Sequence, residues 1–176
     1  MTEVPELRTE RLLMRGWRFD HYERLSEILS DPAVGAGMGK PDGFTPHEAW
    51  LDMSVLCAHW SLRGFGHWVL EERESGELIG RAGLYYPPDW PAMEVGWTVA
   101  REHWGKGYAP EAARAACAWA HDELGARHIV SLIAPFNAQS IRVAEKLGET
   151  LEGEHSTRGF DLLVYGTDLP LSDSPR

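Results

Sequence analysis

Apolar side chains recur along this chain at two spacings, every second residue in some stretches and every third or fourth in others. The first spacing is typical of strands and the second of amphipathic helices. Together they predict the element order β-α-α-β-β-β-α-β-α-β-β, a mixed α/β domain. The seven strands are predicted at 7–15, 67–72, 77–86, 93–99, 127–134, 149–154 and 160–166.

Capping residues mark the starts of the four predicted helices, which span 20–31, 45–63, 110–124 and 137–147. Asp20 followed by Glu23 is an Asp form of the capping box, and Thr45 followed by Glu48 is a second capping box. Glycines follow the last three helices, as is typical of helix C-termini. The Gly- and Pro-rich residues 34–44 are predicted to form a loop.

Two glycines, Gly105 and Gly107, lie directly before the alanine-rich third helix. Glycine lets a ligand approach the main chain, and a helix N-terminus offers unpaired N–H groups and a partial positive charge. These features favour phosphate or pyrophosphate, although a plain strand-to-helix turn can have the same pattern. The stretch is not a P-loop, because Lys106 lies between the glycines and no Ser or Thr follows. It is not a dinucleotide fingerprint either, because Pro110 occupies the third glycine position.

Composition narrows the class of protein. A chain of 176 residues suits one domain, and a formal charge of −10 argues against general nucleic-acid binding and fits a cationic acceptor. No apolar run reaches the roughly 20 residues of a membrane span, and the N-terminus lacks the regions of a signal peptide. We therefore expect a cytoplasmic protein with no membrane partner. Cys57 and Cys117 are expected to be free thiols, and no Cys/His cluster has zinc spacing, so no metal is expected.

Local motifs in a fixed order carry a resemblance to a known family. They are Leu7-Arg-Thr-Glu-Arg-Leu-Leu-Met-Arg15, Glu94-Val-Gly-Trp97, Trp104-Gly-Lys-Gly-Tyr-Ala109, and Asn137-Ala-Gln-Ser140 followed by Ala144-Glu-Lys-Leu-Gly148. With these motifs the chain resembles the GNAT superfamily of acetyl-CoA-dependent N-acetyltransferases, in the branch of the ribosomal-protein alanine acetyltransferases. The resemblance spans nearly the whole chain. One departure is Glu149, which stands where the family commonly has Phe.

The resemblance implies a fold of the α/β (α+β) class, with one GNAT-like domain over residues 1–167 and a C-terminal tail over 168–176. It implies a mixed, mostly antiparallel sheet of seven strands flanked by about four helices. In such folds the fourth strand, here 93–99, splays from the fifth, here 127–134. The oligomeric state is expected to be a monomer or a homodimer.

The resemblance also implies acetyl-CoA as the cosubstrate. The pyrophosphate would lie on the main chain of the glycine turn, and the pantetheine arm would pair with free main-chain groups at the end of the fourth strand. The expected contacts are Trp97, Thr98, Val99, Trp104, Gly105, Lys106, Gly107, Tyr108, Ala109, Asn137 and Ser140.

Two residues are candidates for catalysis. Glu94 could take a proton from the acceptor amine, directly or through water, although an exposed strand Glu would look the same. Ser140 could return a proton to the departing thiolate, although a Ser in a first helical turn is commonly a cap or surface residue. His67 and His103 are alternative bases. Several aromatic residues could wall an acceptor pocket or belong to the core: Trp60, Trp68, Tyr85, Tyr86 and Trp90.

The function expected from these features is direct transfer of an acetyl group from acetyl-CoA to a primary amine. The acceptor is either a protein N-terminal α-amine or a small-molecule amine. The alternative, from another class, is a non-catalytic acyl-CoA-binding or sensing module on the same fold.

Overall fold

The computed structural model describes residues 3–157 and 159–172 of the chain. In these ranges eight strands form one sheet: β1 (Leu7–Arg8), β2 (Leu12–Arg15), β3 (His67–Glu72), β4 (Leu78–Tyr85), β5 (Glu94–Val99), β6 (His128–Ile133), β7 (Thr150–Thr157) and β8 (Phe160–Asp168). The five helices there are α1 (Tyr22–Ser30), α2 (Pro32–Ala36), α3 (Pro46–Arg63), α4 (Tyr108–Leu124) and α5 (Ala138–Leu147). The spatial order of the strands is β1-β2-β3-β4-β5-β6-β8-β7.

The sheet opens between β5 and β6. β5 pairs antiparallel with β4 along its whole length, from Val99 opposite Gly80 to Glu94 opposite Tyr85. β5 and β6 are parallel and pair at a single position, Glu94 opposite Val130. Beyond that point β5 has no strand on its second edge. The expected splay between the fourth and fifth predicted strands is therefore confirmed.

The structure corrects the predicted element count in two places. The predicted first strand, 7–15, is two strands, because a turn at Thr9 separates them. The Thr9 N–H donates to the Leu12 carbonyl at 3.0 Å, and its hydroxyl accepts from the Leu12 N–H at 2.9 Å. The predicted loop over 34–44 overlaps the short helix α2. Asp31 caps that helix through the Ala33 N–H at 2.8 Å, and Pro32 occupies its first turn.

The predicted cap at Asp20 is wrong, whereas the cap at Thr45 is confirmed. Asp20 lies inside the 3-10 turn Phe19–His21, and its carboxylate pairs with Arg18 at 2.9 Å instead of a helix N–H. Thr45 and Glu48 form both reciprocal bonds of the capping box ahead of α3. The difference arises because Arg18 competes for the Asp20 carboxylate, whereas the hydroxyl and main-chain N–H of Thr45 keep Glu48 in place.

Helices cover both faces of the sheet. Alternation along β3 directs Trp68 and Leu70 into one core cluster and Val69 into the other. The first cluster contains the alanine face of α4 and three edge-to-face tryptophans, Trp60, Trp68 and Trp119, whose ring centroids are 4.9 to 5.8 Å apart. Small alanine side chains let α4 pack closely on β4 and β5, and this contact fixes the start of α4 beside the open edge of β5.

Ordered structure reaches past the predicted domain boundary at residue 167. Leu169 is buried in the first core cluster, and its N–H donates to the Arg127 carbonyl at 2.8 Å. Leu171 packs against the same cluster. The start of the predicted tail, 168–176, therefore belongs to the fold because its leucines cover the sheet. Residues 173–176 lie outside the described part of the chain.

Glu149 is a buried acid immediately before β7, only 3% exposed. The Ser131 hydroxyl lies 2.9 Å from the Val95 carbonyl oxygen and 3.1 Å from Oε1 of Glu149. That hydroxyl has a single proton, so both contacts are satisfied when Glu149 is protonated and donates to it. Burial raises the pKa of the Glu149 carboxyl to about 8, and the nearby Glu94 carboxyl acts in the same direction. Ser131 thus bridges β6 to the open edge of β5, and the neutral Glu149 carboxyl supports that bridge from behind.

A neutral Glu149 predicts a specific pH dependence of stability. The carboxyl binds its proton more tightly in the folded chain, so its contribution is complete below about pH 4.5 and is lost as the pH rises toward about 8. Glu149→Gln keeps the shape and removes the titration. Relative to the variant, the free energy of unfolding of the natural chain should fall by up to about 1.4 kcal/mol per pH unit in that range. Urea unfolding at a series of pH values measures this difference.

The exposed Glu154 of β7 supplies the control substitution, Glu154→Gln. The free energies of unfolding of the natural chain and of Glu149→Gln, plotted against pH, should therefore not be parallel. Parallel curves from pH 4.5 to 8 would contradict a neutral buried acid.

Candidate functional site

Two clefts meet at the open end of β5. The first, called here the glycine-loop cleft, has a volume of about 540 Å³ and runs from α2 along the glycine turn to the start of α5. The second, called the Glu94 cleft, also has about 540 Å³ and lies between β5, β6, α3 and the β7–β8 hairpin. Both are lined by the same seven residues: Gly37, Met38, Trp97, Thr98, Phe136, Asn137 and Ser140. The clefts are therefore two arms of one site with a shared wall.

The glycine turn places a helix N-terminus in the first cleft. Gly105 has φ +75° and Gly107 has φ +85°, which is the left-handed region that other residues seldom adopt. Gly107 is the N-cap of α4. Because glycine has no side chain, this N-cap makes no side-chain hydrogen bond to the N–H groups of the first helical turn. Arg11 donates to the Lys106 carbonyl at 2.8 Å and holds the turn from outside the cleft. The turn thus presents main-chain donors and the positive end of a helix, a suitable site for phosphate groups.

Not every residue predicted on this turn faces the cleft. Trp104, Gly105, Gly107 and Ala109 line it, whereas the side chains of Lys106 and Tyr108 do not. Tyr108 is 5% exposed and packs in the core, with its hydroxyl bonded to Glu72. Lys106 and Tyr108 could therefore contribute only main-chain groups to a ligand in the cleft.

The end of β5 offers unpaired main-chain groups to the first cleft. The Ala100 N–H donates to the Ile79 carbonyl of β4. Main-chain groups alternate between the two edges of a strand, so the N–H and C=O groups of Val99 and Trp97 point away from β4, into the gap. The Val99 carbonyl accepts from the Trp104 indole at 2.8 Å, and the Val95 carbonyl accepts from Ser131. The N–H and C=O of Trp97 lie between these two bonded carbonyls and face the gap. An extended ligand could pair there as an added strand does.

The start of α5 forms the shared wall of the two clefts. Asn137 is confirmed as the helix cap, because its Oδ1 accepts from the Ser140 N–H at 3.1 Å. Asn137 and Ser140 line both clefts. A Cβ added to Gly37 would lie 2.8 Å from Nδ2 of Asn137, so the end of α2 can approach this cap only without a side chain. The two predicted ligand-binding residues are therefore at the junction.

Glu94 lies in the second cleft, at the last paired position between β5 and β6. Its carboxylate accepts a hydrogen bond from the Trp90 indole. Although the residue is only partly buried, its carboxyl lies deep in the cleft, and burial raises its pKa to about 7 against the opposing effect of the Trp90 bond. A carboxylate with this pKa can exchange a proton at neutral pH.

The alternative bases fit the site less well. His67 is buried, and burial together with the Arg81 guanidinium holds its pKa well below the usual range. Arg81 donates to Nδ1 of His67 at 3.0 Å and therefore blocks that nitrogen as a base. His103 lines the glycine-loop cleft, and its Nε2 lies 3.6 Å from a Glu77 oxygen. Neither imidazole is arranged to take a proton beside Glu94.

The Glu94 cleft combines aromatic and acidic walls. Tyr85 and Trp90 line it with ring centroids 5.3 Å apart, as two of the predicted aromatic residues should. The other three, Trp60, Trp68 and Tyr86, pack in or against the core, which is the alternative that the sequence left open for them. Four carboxylates line the cleft, those of Glu48, Asp52, Glu94 and Asp161. Lys40 pairs with Glu48 and Arg81 pairs with Asp52, so Glu94 and Asp161 supply the negative charge that favours a cationic ligand.

Sequence reasoning missed the polar group beneath this cleft. Arg81 is 6% exposed and donates to Asp52 at 3.1 Å as well as to His67. The available signal was an arginine inside the apolar strand β4, because a buried arginine requires a carboxylate or another acceptor nearby.

A second group of polar side chains lies outside the clefts. Within the described ranges, Glu77, Glu102 and His103 are close enough to share a cation. Arg24 donates to both carboxylates, at 2.8 and 2.5 Å, so the group is an ion-pair network. Across the described part of the chain, no helix is both long and apolar enough to cross a bilayer.

Comparison with known proteins places the chain in a family. Residues 11–150 match the family described as acetyltransferase (GNAT) domain, and the chain belongs to this family. The solved acetyltransferase from Agrobacterium tumefaciens has a TM-score of 0.84 and 33% identity, and the alignment covers 94% of this chain and 95% of that one.

Two further relatives are informative. An uncharacterised Bacillus subtilis protein, YkkB, is 41% identical over 117 residues, which are 61% of this chain and 68% of that protein. The solved RimL, a ribosomal L7/L12 α-N-protein acetyltransferase in complex with coenzyme A, has a TM-score of 0.74 at 18% identity. That alignment covers 93% of this chain and 98% of RimL, and it shows that the fold is the same. The expected family and fold class are confirmed.

Proposed function

We propose that this protein transfers the acetyl group of acetyl-CoA to a primary amine within a ternary complex. The observation that carries the proposal is the junction of two clefts at the open end of β5. One cleft has main-chain donors suited to phosphate, and the other has a carboxylate suited to an amine. A thioester at the shared wall would lie between them, so the two substrates could react directly.

The glycine-loop cleft supplies what coenzyme A requires. The N–H groups at the start of α4 suit the pyrophosphate, and Trp97 offers a main-chain donor and acceptor to the amides of the pantetheine arm. Asn137 and Ser140 lie where the arm would end. The complex of RimL with coenzyme A supports this assignment at the level of the fold.

The Glu94 cleft supplies what an amine requires. An amine must be neutral to attack, and Glu94 can accept its proton near pH 7. The nitrogen lone pair then attacks the thioester carbonyl, and main-chain N–H groups at the end of β5 could stabilise the oxyanion. As the C–S bond breaks, the thiolate takes a proton, for which the candidate is Ser140 at the shared wall.

The acceptor is either an N-terminal α-amine or a small-molecule amine. RimL is named for a protein α-amine, and an Aspergillus fumigatus relative has a different name, FsC-acetyl coenzyme A-N(2)-transacetylase. A non-catalytic acyl-CoA sensor is the second candidate function. The near-neutral pKa of Glu94 in a cleft joined to the cofactor cleft favours the enzyme, because a sensor has no use for a proton acceptor there.

The first prediction concerns coenzyme A binding. Gly107→Val places a branched side chain at φ +85° in the glycine turn and should weaken coenzyme A binding at least about tenfold by obstructing the approach of the pyrophosphate. Isothermal titration calorimetry measures the affinity.

Gly125→Val is the control for the effect of backbone strain alone. Gly125 ends the same helix, has φ +65°, and lies outside both clefts with open space around it. Equal affinity of the folded Gly107→Val protein and the natural chain would remove the glycine turn from the coenzyme A site.

The second prediction separates acid catalysis from binding at Ser140. Ser140→Ala should lower turnover at saturating acetyl-CoA by about 10²-fold, because the thiolate loses its proton donor, and should change acetyl-CoA affinity little. Steady-state kinetics with thiol detection and calorimetry give the two quantities. A loss of affinity with normal turnover at saturation would assign Ser140 to binding alone.

The third prediction concerns Glu94. Below about pH 7 the natural enzyme should slow with falling pH because Glu94 becomes protonated, and above that pH its rate should level off. Glu94→Gln cannot accept the proton, so its rate should keep rising up to the pKa of the acceptor amine. The loss should reach about 10²-fold at and below neutral pH and shrink as solvent deprotonates the amine.

A pH–rate series for both proteins with one acceptor measures the effect. A constant offset at every pH would make Glu94 a positioning residue, and identical profiles would exclude it from the site.

A further inference from the structure

The imidazole of His67 is held in one tautomer. Its Nδ1 lies 3.0 Å from Nη1 of Arg81, and a guanidinium can only donate hydrogen bonds. Nδ1 must therefore be the acceptor, and the proton of the neutral ring must be on Nε2. Asp52 holds Arg81 from the other side at 3.1 Å, so the orientation of the guanidinium is set by two partners.

The protonated nitrogen borders the same space as the Glu94 carboxylate. A Cβ added to Gly96 would lie 3.4 Å from Nε2 of His67 and 3.7 Å from Oε1 of Glu94. All three residues line the Glu94 cleft. The missing side chain at Gly96 thus leaves a small space with a proton acceptor on one side and a proton donor on the other.

Charged and titratable groups around His67 keep its donor role constant. Arg81 of β4 and His59 of α3 both oppose a second proton on the ring, and burial has the larger effect in the same direction. Asp52 of α3 faces the ring through Arg81, and Glu94 of β5 faces it across Gly96. A fixed neutral ring can orient a ligand, but it cannot carry protons through the reaction.

We infer that His67 is a specificity-determining hydrogen-bond donor and that the preferred acceptor carries an oxygen close to its amine. The inference rests on the proposed acetyl transfer and narrows its acceptor class. An α-amino carbonyl compound, such as a peptide N-terminus or an amino-acid amide, places an amine and a carbonyl oxygen on neighbouring atoms. Its nitrogen would face Glu94 and its oxygen would accept from Nε2 of His67, whereas a plain alkylamine leaves that donor without a partner.

Two substitutions test the two ring nitrogens of His67 separately. His67→Asn can keep an acceptor near the Nδ1 position for Arg81 and has no group at the Nε2 position. His67→Gln can place an amide donor near the Nε2 position. His21→Gln is the matched control, because His21 is also a buried histidine but lies outside both clefts.

The measurement is kcat/KM for alaninamide and isopropylamine with each protein. Comparing the ratio of the two substrates between proteins cancels their different basicities. His67→Asn should lower the preference for alaninamide about tenfold or more, as expected for one lost hydrogen bond, and His67→Gln should recover part of it. His21→Gln should leave the ratio unchanged. Separately, ¹⁵N spectroscopy of the free protein should show His67 protonated at Nε2 and not titrating between about pH 5.5 and 8.

An equal loss with both amines in His67→Asn, or a proton on Nδ1, would overturn the role of His67 and leave acetyl transfer intact. A natural enzyme that acetylates alkylamines and refuses α-amino amides would do the same. Absence of acetylation with every amine, although coenzyme A binds, would overturn the proposed function itself.

Discussion

The divergence of β5 and β6 after the pair Glu94 and Val130 is the constraint on which the site depends. A sheet normally satisfies both edges of a central strand, and an unpaired edge inside a protein requires other partners. Here the Trp104 indole and the Ser131 hydroxyl bind the carbonyls of Val99 and Val95. The intervening N–H and C=O of Trp97 face the gap. The same gap lets the start of α5 approach the sheet and form the wall between the two clefts.

The chemistry of the two clefts differs because different elements supply their polar groups. The glycine-loop cleft takes its character from main-chain N–H groups and a helix terminus, which favour negative charge. The Glu94 cleft takes its character from carboxylates, with one deeply buried arginine beneath them that is paired with Asp52. A cofactor rich in phosphate and a cationic amine would therefore be attracted to opposite arms of the same site.

The sequence predicts the elements well where local chemistry determines them. Thr45 with Glu48, Asn137, and the glycines that end α3, α4 and α5 act within a few residues of themselves, so their roles are readable from spacing. The prediction that Asp20 caps a helix failed because its carboxylate pairs with Arg18, two residues away. His67, Arg81 and Asp52 come from three separate elements, and their alignment depends on strand register and helix packing that no local pattern reveals. Glu149 is visible as a departure from the family, but its contact with Ser131 is visible only in the fold.

The wall shared by the two clefts is built from side chains that belong to neither cleft alone. Met38 and Asn137 face both sides, and Gly37 packs against the Asn137 amide. A ligand that shifted these residues in one arm would change the shape of the other, and the occupancies of the two arms would then be thermodynamically linked. Such linkage is reciprocal: whatever one ligand does to the affinity of the second, the second does to the first. A single molecule that spans the wall would bind more tightly than either of its halves. Once one half is bound, the other half is present at a high effective concentration, so affinity rises without any new contact.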